Sequence, residues 1–195
     1  MRKTAAALAL AALAAGCFDE PEPAYKSVPA ESRVYLQERG LPDLKKTDLS
    51  KVGDYLNLDR NQLTNADEVA SLAALKWLRL NGNRLSSLPE LSALADLRRI
   101  YLKNNRFTEV PAALKDLPSL TDVDLSGNPI SEIPAWLAEK KGLKNLSFSG
   151  TKLKKLPEDL SAWRSLANLQ LGGLDLSAEE MARVRAALPA TAIVF

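Results

Sequence analysis

The chain has 195 residues, 46% hydrophobic and 26% charged, which is the composition of one folded domain with a tail. Its 26 Lys and Arg against 24 Asp and Glu give a formal charge of only +2, which argues against a phosphate-neutralising surface and a nucleic-acid partner. No histidine is present, so the commonest general base and zinc ligand are missing, and one cysteine allows neither an internal disulfide nor a thiolate cluster.

Residues 1–16, MRKTAAALALAALAAG, have the parts of a secretory signal peptide: Arg2 and Lys3, an apolar run over 4–15, then small residues Ala14, Ala15 and Gly16. A dozen residues fall short of the roughly 20 that span a bilayer. A buried or amphipathic N-terminal helix is the other reading. It is disfavoured because the run is apolar on all sides and ends abruptly in an acidic, Pro-rich stretch. The segment LAAGC (13–17) resembles the lipobox of bacterial lipoproteins, with Ala14 where that family most often has Leu. The resemblance implies cleavage before Cys17 and a diacylglycerol on its sulfur. Cys17 is then an anchor, palmitate-type acyl chains holding the protein to the membrane, since two acyl signals suffice. The alternative is a soluble exported form with a free thiol. Residues 17–31 follow as the lipidated cysteine and an acidic tether without apolar period. In the lipoprotein family Asp directly after the cysteine favours the inner membrane. Phe18 stands there instead, which by resemblance favours the outer membrane of the cell envelope.

Over residues 32–52 an N-terminal cap is predicted. The stretch 27–40 reads as a short helix, with Ser27 as N-cap, Pro29 early and Gly40 at the end, followed by a degenerate half-turn through Leu41, Leu44 and Leu49.

From 53 to 176 one pattern repeats. GDYLNLDRNQL, LKWLRLNGNRL, LRRIYLKNNRF, LTDVDLSGNPI, LKNLSFSGTKL and LANLQLGGLDL start at 53, 75, 97, 120, 143 and 166, a period of 22 or 23 residues. The chain resembles leucine-rich repeat proteins of the LPxxLxxL class. This implies an α/β fold, a right-handed leucine-rich repeat solenoid with a parallel concave sheet, about six repeats and terminal caps. In each unit the middle LxL is a short strand whose alternate residues face inward, and neighbours stack to share the core. Asn61, Asn83, Asn105 and Asn128 are assigned to pairing turn backbone; Thr151 makes part of that pattern, and Leu174 ends it. Leu88-Pro89, Val110-Pro111, Ile133-Pro134 and Leu156-Pro157 open the return segments, which Leu91, Leu114, Leu137 and Leu160 tie to the core. Trp136 and Trp163 are assigned to convex packing. At the C-terminus, SAEE (177–180) is a capping box, Met181, Val184 and Leu188 follow at helical spacing, Pro189 stops the helix, and TAIVF (191–195) adds an edge strand.

No glycine-rich phosphate loop and no metal-ligand spacing occurs, so neither enzyme activity nor a cofactor is expected. The positions beside the inward leucines face outward on the concave side. Trp77, Arg79, Arg99, Tyr101 and Lys103 cluster there, followed by Asp122 and Asp124. Trp, Tyr and Arg are the types enriched in interaction hot spots, so these residues are the candidate site for another protein, bound by a monomer. The two aspartates read as a solvated acidic patch, and the aromatics as exposed, their truncation costing within about 0.5 kcal/mol. The alternative function is capture of a glycan or peptidoglycan fragment, with Trp77 and Tyr101 as stacking platform and Asn57, Asn81 and Asn104 as hydrogen-bonding neighbours.

Overall fold

The computed structural model describes residues 32–195. The signal segment, Cys17, the tether and the 27–31 part of the predicted N-terminal helix lie outside the described residues. Eight three-residue strands form one parallel sheet in chain order: β1 (Arg33–Tyr35), β2 (Tyr55–Asn57), β3 (Trp77–Arg79), β4 (Arg99–Tyr101), β5 (Asp122–Asp124), β6 (Asn145–Ser147), β7 (Asn168–Gln170) and β8 (Ala192–Val194). Because the repeats are nearly equal in length, the register never slips. Leu56, Leu78, Ile100, Val123, Leu146 and Leu169 lie side by side. These residues, with Leu58, Leu80, Leu102, Leu125, Phe148 and Leu171, are at most 1% exposed. The stacked repeats thus share one continuous core.

The return segments are short 3-10 turns (Asp67–Ser71, Ala112–Leu114, Ser161–Ser165) and one brief helix, α1 (Ala135–Ala138). Pro111 and Pro134 stand just before the second and fourth of these, where a missing N–H costs nothing. Leu91, Leu114, Leu137 and Leu160 are buried behind them, as the pattern predicts. Trp163 is fully buried, and its indole N–H donates to the Leu137 carbonyl at 2.9 Å, tying two return segments together.

The asparagines form the predicted ladder. The Asn105 Nδ2 donates to the carbonyls of Leu80 and Leu102, both at 2.9 Å, while its Oδ1 accepts from the Leu85 N–H at 3.1 Å. Asn61, Asn83 and Asn128 repeat the arrangement. Each carboxamide thereby closes its own turn and fastens it to the previous repeat. Thr151 donates only to its own repeat's Phe148 carbonyl at 2.7 Å, which is the expected partial substitute. The residue before each of these positions takes a left-handed conformation: Gly82, Gly127, Gly150 and Gly173 do so, and so do Arg60 and Asn104. At Gly127 the requirement is doubled, since a Cβ would collide with the Asn104 side chain.

The N-terminal cap differs from the helix expected over 27–40. Its described part is strand β1 followed by a turn, paired in parallel with β2 in the same register as every other pair. Arg33-Val34-Tyr35-Leu36 is therefore a seventh, degenerate repeat, in which Val34 and Leu36 pack on the core. Its unpaired neighbour strand decides the outcome: the open edge of β2 offers hydrogen bonds that a helix here would leave unmade. The half-turn beyond is as predicted, with Leu44 buried and Leu41 and Leu49 packed against the core.

The C-terminal cap also follows expectation. Helix α2 (Ala178–Ala187) starts at Ser177, whose Oγ accepts from the Glu180 N–H at 3.2 Å, and β8 completes the sheet. The Glu180 carboxylate does something else. It accepts from the Leu156 N–H at 2.7 Å and from Arg183, which in turn donates to the carbonyls of Leu156, Pro157 and Glu158.

Removing one rung tests the ladder. Asn105→Ala leaves the Leu80 and Leu102 carbonyls and the Leu85 N–H without their carboxamide, and is expected to cost about 1–3 kcal/mol in urea melts. A neutral result would break the argument.

Candidate functional site

Parallel pairing sets Tyr55, Trp77, Arg99, Asp122, Asn145 and Asn168 in one row across the concave face, and Asn57, Arg79, Tyr101, Asp124, Ser147 and Gln170 in the next. The predicted site residues are therefore neighbours, and none of them enters the main core. What they do with one another differs from expectation.

The aromatics are not exposed. Tyr55, Trp77 and Tyr101 form a second apolar cluster on the opposite side of the sheet, only 7%, 5% and 5% accessible. Ring centroids are 5.2 Å apart from Tyr35 to Tyr55, 5.0 Å from Tyr55 to Trp77 in an edge-to-face contact, and 5.9 Å from Trp77 to Tyr101. Strand spacing of about 4.8 Å matches aromatic contact distances, so rings on successive rungs pack into a ladder. Burial pushes the Tyr55 hydroxyl up to about 12. The Tyr101 hydroxyl is pushed up by burial and by the negative charge of Asp122, against the opposing pull of Arg99. Both are neutral phenols at physiological pH. Tyr35 and Tyr55 were missed as site residues. Tyr55 shares its row with Trp77, and Tyr35 was hidden by the helical reading of its segment.

The arginines lie over this ladder. The Arg99 guanidinium sits 5.0 Å from the Trp77 ring centroid and Arg79 sits 5.5 Å from that of Tyr101. Arg79 Nε also donates to Asp59 Oδ2 at 2.7 Å, and Arg99 Nε lies 3.9 Å from Asp122. The two side chains keep 21% and 27% of their surface accessible. Lys103 is also part-exposed, and its backbone N–H donates to Asn81 Oδ1. The accessible chemistry of this half of the face is thus cationic, carried on aromatic planes.

Asp122 and Asp124 are not a solvated patch either. They are 7% and 4% exposed. Asp122 accepts from Thr121 and from Asn145, and Asn145 in turn accepts from Asn168 at 2.7 Å, a polar chain running across three strands. Asp124 accepts from the Ser126 N–H and hydroxyl, and Ser126 meets Ser147 at 2.6 Å. Burial raises the Asp124 carboxyl above its ordinary value, opposed by the Ser126 hydrogen bonds and by Lys103. Among the described residues no group of three or more His, Cys, Asp or Glu comes together to hold a metal ion.

Trp77 and Tyr101, the stacking residues of the glycan alternative, are in contact with each other, and with Tyr55 and the arginines they form a packed group in which each keeps only 5% of its surface accessible. Asn81 and Asn57 likewise give their carboxamide oxygens to backbone N–H groups of Lys103 and Asp59.

Comparison with known proteins agrees with this architecture. The family model described as leucine rich repeats, two copies, matches residues 73–112 and 95–138. A search of curated proteins gives no match. Among solved structures the chain is similar to an internalin, InlF, from Listeria monocytogenes, with 22% identity and a TM-score of 0.64 over 76% of this chain and 44% of that one. It is also matched to a leucine-rich repeat protein of Leptospira interrogans, LIC12759, at 24% identity and a TM-score of 0.44, over 75% of this chain and 55% of that one. The chain thus spans about half the length of these structures. The fold is a leucine-rich repeat solenoid, a class that commonly serves to bind other proteins.

Two outcomes test the site as built. Trp77→Ala removes the central rung of the aromatic ladder and is expected to cost at least about 2 kcal/mol, well beyond the 0.5 expected of an exposed residue. A melt indistinguishable from wild type would mean that the ladder contributes nothing. Asp124→Asn is expected to act through pH. A carboxyl raised in the folded state stabilises below its unfolded pKa, and that contribution is lost as pH rises through the folded value. The variant should therefore match wild type near pH 3 and become progressively more stable than it towards pH 7. A constant difference across that range would remove burial of the charge as the cause.

Proposed function

We propose that the chain is a non-enzymatic protein-binding module, held at the bacterial envelope by lipidated Cys17, with the outer membrane favoured over the inner. Its partner engages the concave face between β1 and β5. The observation that carries the reading is the pair of guanidinium groups, Arg79 and Arg99, placed over the rings of Tyr101 and Trp77 at 5.5 and 5.0 Å from their centroids. Side chains fixed in this way lose little entropy on binding, and their accessible edges present forked donors to carboxylates and backbone carbonyls. The aromatics contribute from below as a rigid support and not as contact area.

The anchor reading rests on the sequence over 1–17. Cys17→Ser is expected to abolish incorporation of labelled palmitate and to release the protein from the membrane fraction, with its melting curve unchanged. Equal partition of the variant with membranes would remove the anchor.

The binding reading is tested at Arg99. Arg99→Glu is expected to weaken capture of the envelope partner about tenfold or more, mainly by slowing association at low salt. Undiminished capture by a folded variant would move the interface elsewhere, most directly to the groove beyond the asparagine ladder lined by Glu132, Lys152, Lys154, Lys155 and Pro157.

A further inference from the structure

Past the asparagine ladder the repeats are fastened differently. Asn83, Asn105 and Asn128 each donate to a carbonyl of the preceding repeat, whereas Thr151 reaches only Phe148 of its own. The segment after Thr151 is held from its other side. Glu180 of α2 accepts from the Leu156 N–H, and Arg183 donates to the carbonyls of Leu156, Pro157 and Glu158. The backbone bond from the Lys152 N–H to the Ile130 carbonyl, 2.8 Å, still joins the repeats of β5 and β6. Beyond it a groove of about 580 Å³ opens between them, with one wall at 131–133 and the other at 152–157. That volume is in the range of roughly 300–1,000 Å³ of binding clefts.

Three exposed lysines, Lys152, Lys154 and Lys155, line the groove against one carboxylate, Glu132. Lys154 lies 3.8 Å from Asp175, but the two side chains are 80% and 92% exposed, so this pair offsets little of the charge. Between the charges lie Ile133 and Pro157, both part-buried, with Leu156 buried beside them. Pro157 also borders an adjoining depression of about 380 Å³, lined by Ala135, Ala138 and Ala162, where the charges are mixed: Lys141 with Glu139 and Asp159.

We infer that this groove is a second binding site, separate from the concave face, and that it takes an extended acidic peptide segment of another protein. It stands independently of the reading of the concave face. In an extended chain successive side chains turn to opposite sides. Alternate apolar residues of such a segment reach Ile133 and Pro157, while the carboxylates between them meet the lysines. Lysine suits this role, because its stem lies along apolar surface while its ammonium, a compact point charge, stays in water. A flat anionic membrane would meet the lysines and leave the groove unfilled. A lone anion would occupy a small part of either depression. Two depressions that meet at Pro157 match a chain that runs through both.

The test uses the full-length protein and a fluorescein-labelled peptide, Glu-Leu-Glu-Leu-Glu-Ala-Ala, followed by anisotropy. A second copy of the peptide carries the photo-crosslinker p-benzoylphenylalanine at its second Leu. The expected crosslinks fall within residues 131–135 and 152–162. Lys154→Glu with Lys155→Glu changes exposed side chains only and should weaken binding about tenfold, as should 1 M salt. A peptide with Lys for each Glu should bind the reversed variant in preference to wild type. Arg99→Glu should leave binding of the acidic peptide within about twofold, since that residue lies on another face. Crosslinks at 77–103, equal binding of the acidic and basic peptides, or equal binding when Ser replaces each Leu would each overturn the proposal. So would phosphatidylglycerol vesicles that require the two lysines while the peptide does not bind, an outcome that would make the patch a membrane contact. Partner capture is not read here, so its response to Arg99→Glu bears on the proposed function alone.

Discussion

A strand followed by a sharp turn leaves backbone groups with no strand partner, and in four successive repeats of this solenoid a carboxamide, Asn61, Asn83, Asn105 or Asn128, meets that need. The amide donates to carbonyls of two successive repeats and accepts from a third backbone group, so a turn closes only when its neighbour is in place. An unpaired buried polar group costs about 1–3 kcal/mol, which is enough to make each repeat depend on the next. The other regularities follow. A constant turn fixes a constant return length, and a constant return length fixes the strand register. The left-handed residue before each carboxamide belongs to the same geometry, which is why glycine recurs there and why Arg60 and Asn104 tolerate an unfavourable backbone.

Register in turn makes the concave face. When every strand presents its outward residues in the same row, the chemistry of a row accumulates: rings contact rings, tilted or edge to face, in β1 to β4, and amides and hydroxyls chain together in β5 to β7. The sheet is therefore packed on both sides, by leucines within and by an aromatic ladder without. Side chains that a single strand would leave mobile are held by the rung on either side. The arginines inherit this order, since a guanidinium on a fixed ring has few places to go.

Most of the fold was legible in the sequence because the inward leucines, the carboxamides and the prolines each recur at one offset, and six copies leave no ambiguity of period. The N-terminal strand was not. Arg33–Tyr35 lacks the asparagine, and its pairing is imposed by the open edge of β2, a tertiary fact with no local signal. The site was legible as a list of positions and not as an environment. Alternation shows that Trp77 and Tyr101 leave the core. It does not show that Tyr35 and Tyr55 extend the same row, or that five ångströms between rows suffices to bury them. Asp122 and Asp124 were misread for the same reason: their burial depends on Thr121, Asn145, Ser126 and Ser147, partners that a strand-by-strand reading treats as solvent-facing.

The two ends of the array are fastened differently. Arg183 and Glu180 of α2 clasp the backbone of the return segment at Leu156–Glu158, so the last strands are tied across repeats by side chains as well as by the sheet. At the other end β1 is held by its pairing to β2, by Val34 and Leu36 on the core and by the reach of Asn61. Glu38 and Arg60 add an ion pair between the first two repeats at 2.6 Å, but it is exposed, whereas the Glu180–Arg183 pair is largely sheltered and engages four backbone groups of the preceding repeat. An exposed pair is screened by salt and a sheltered one much less, so the fastening of the two ends differs in its sensitivity to the ionic medium.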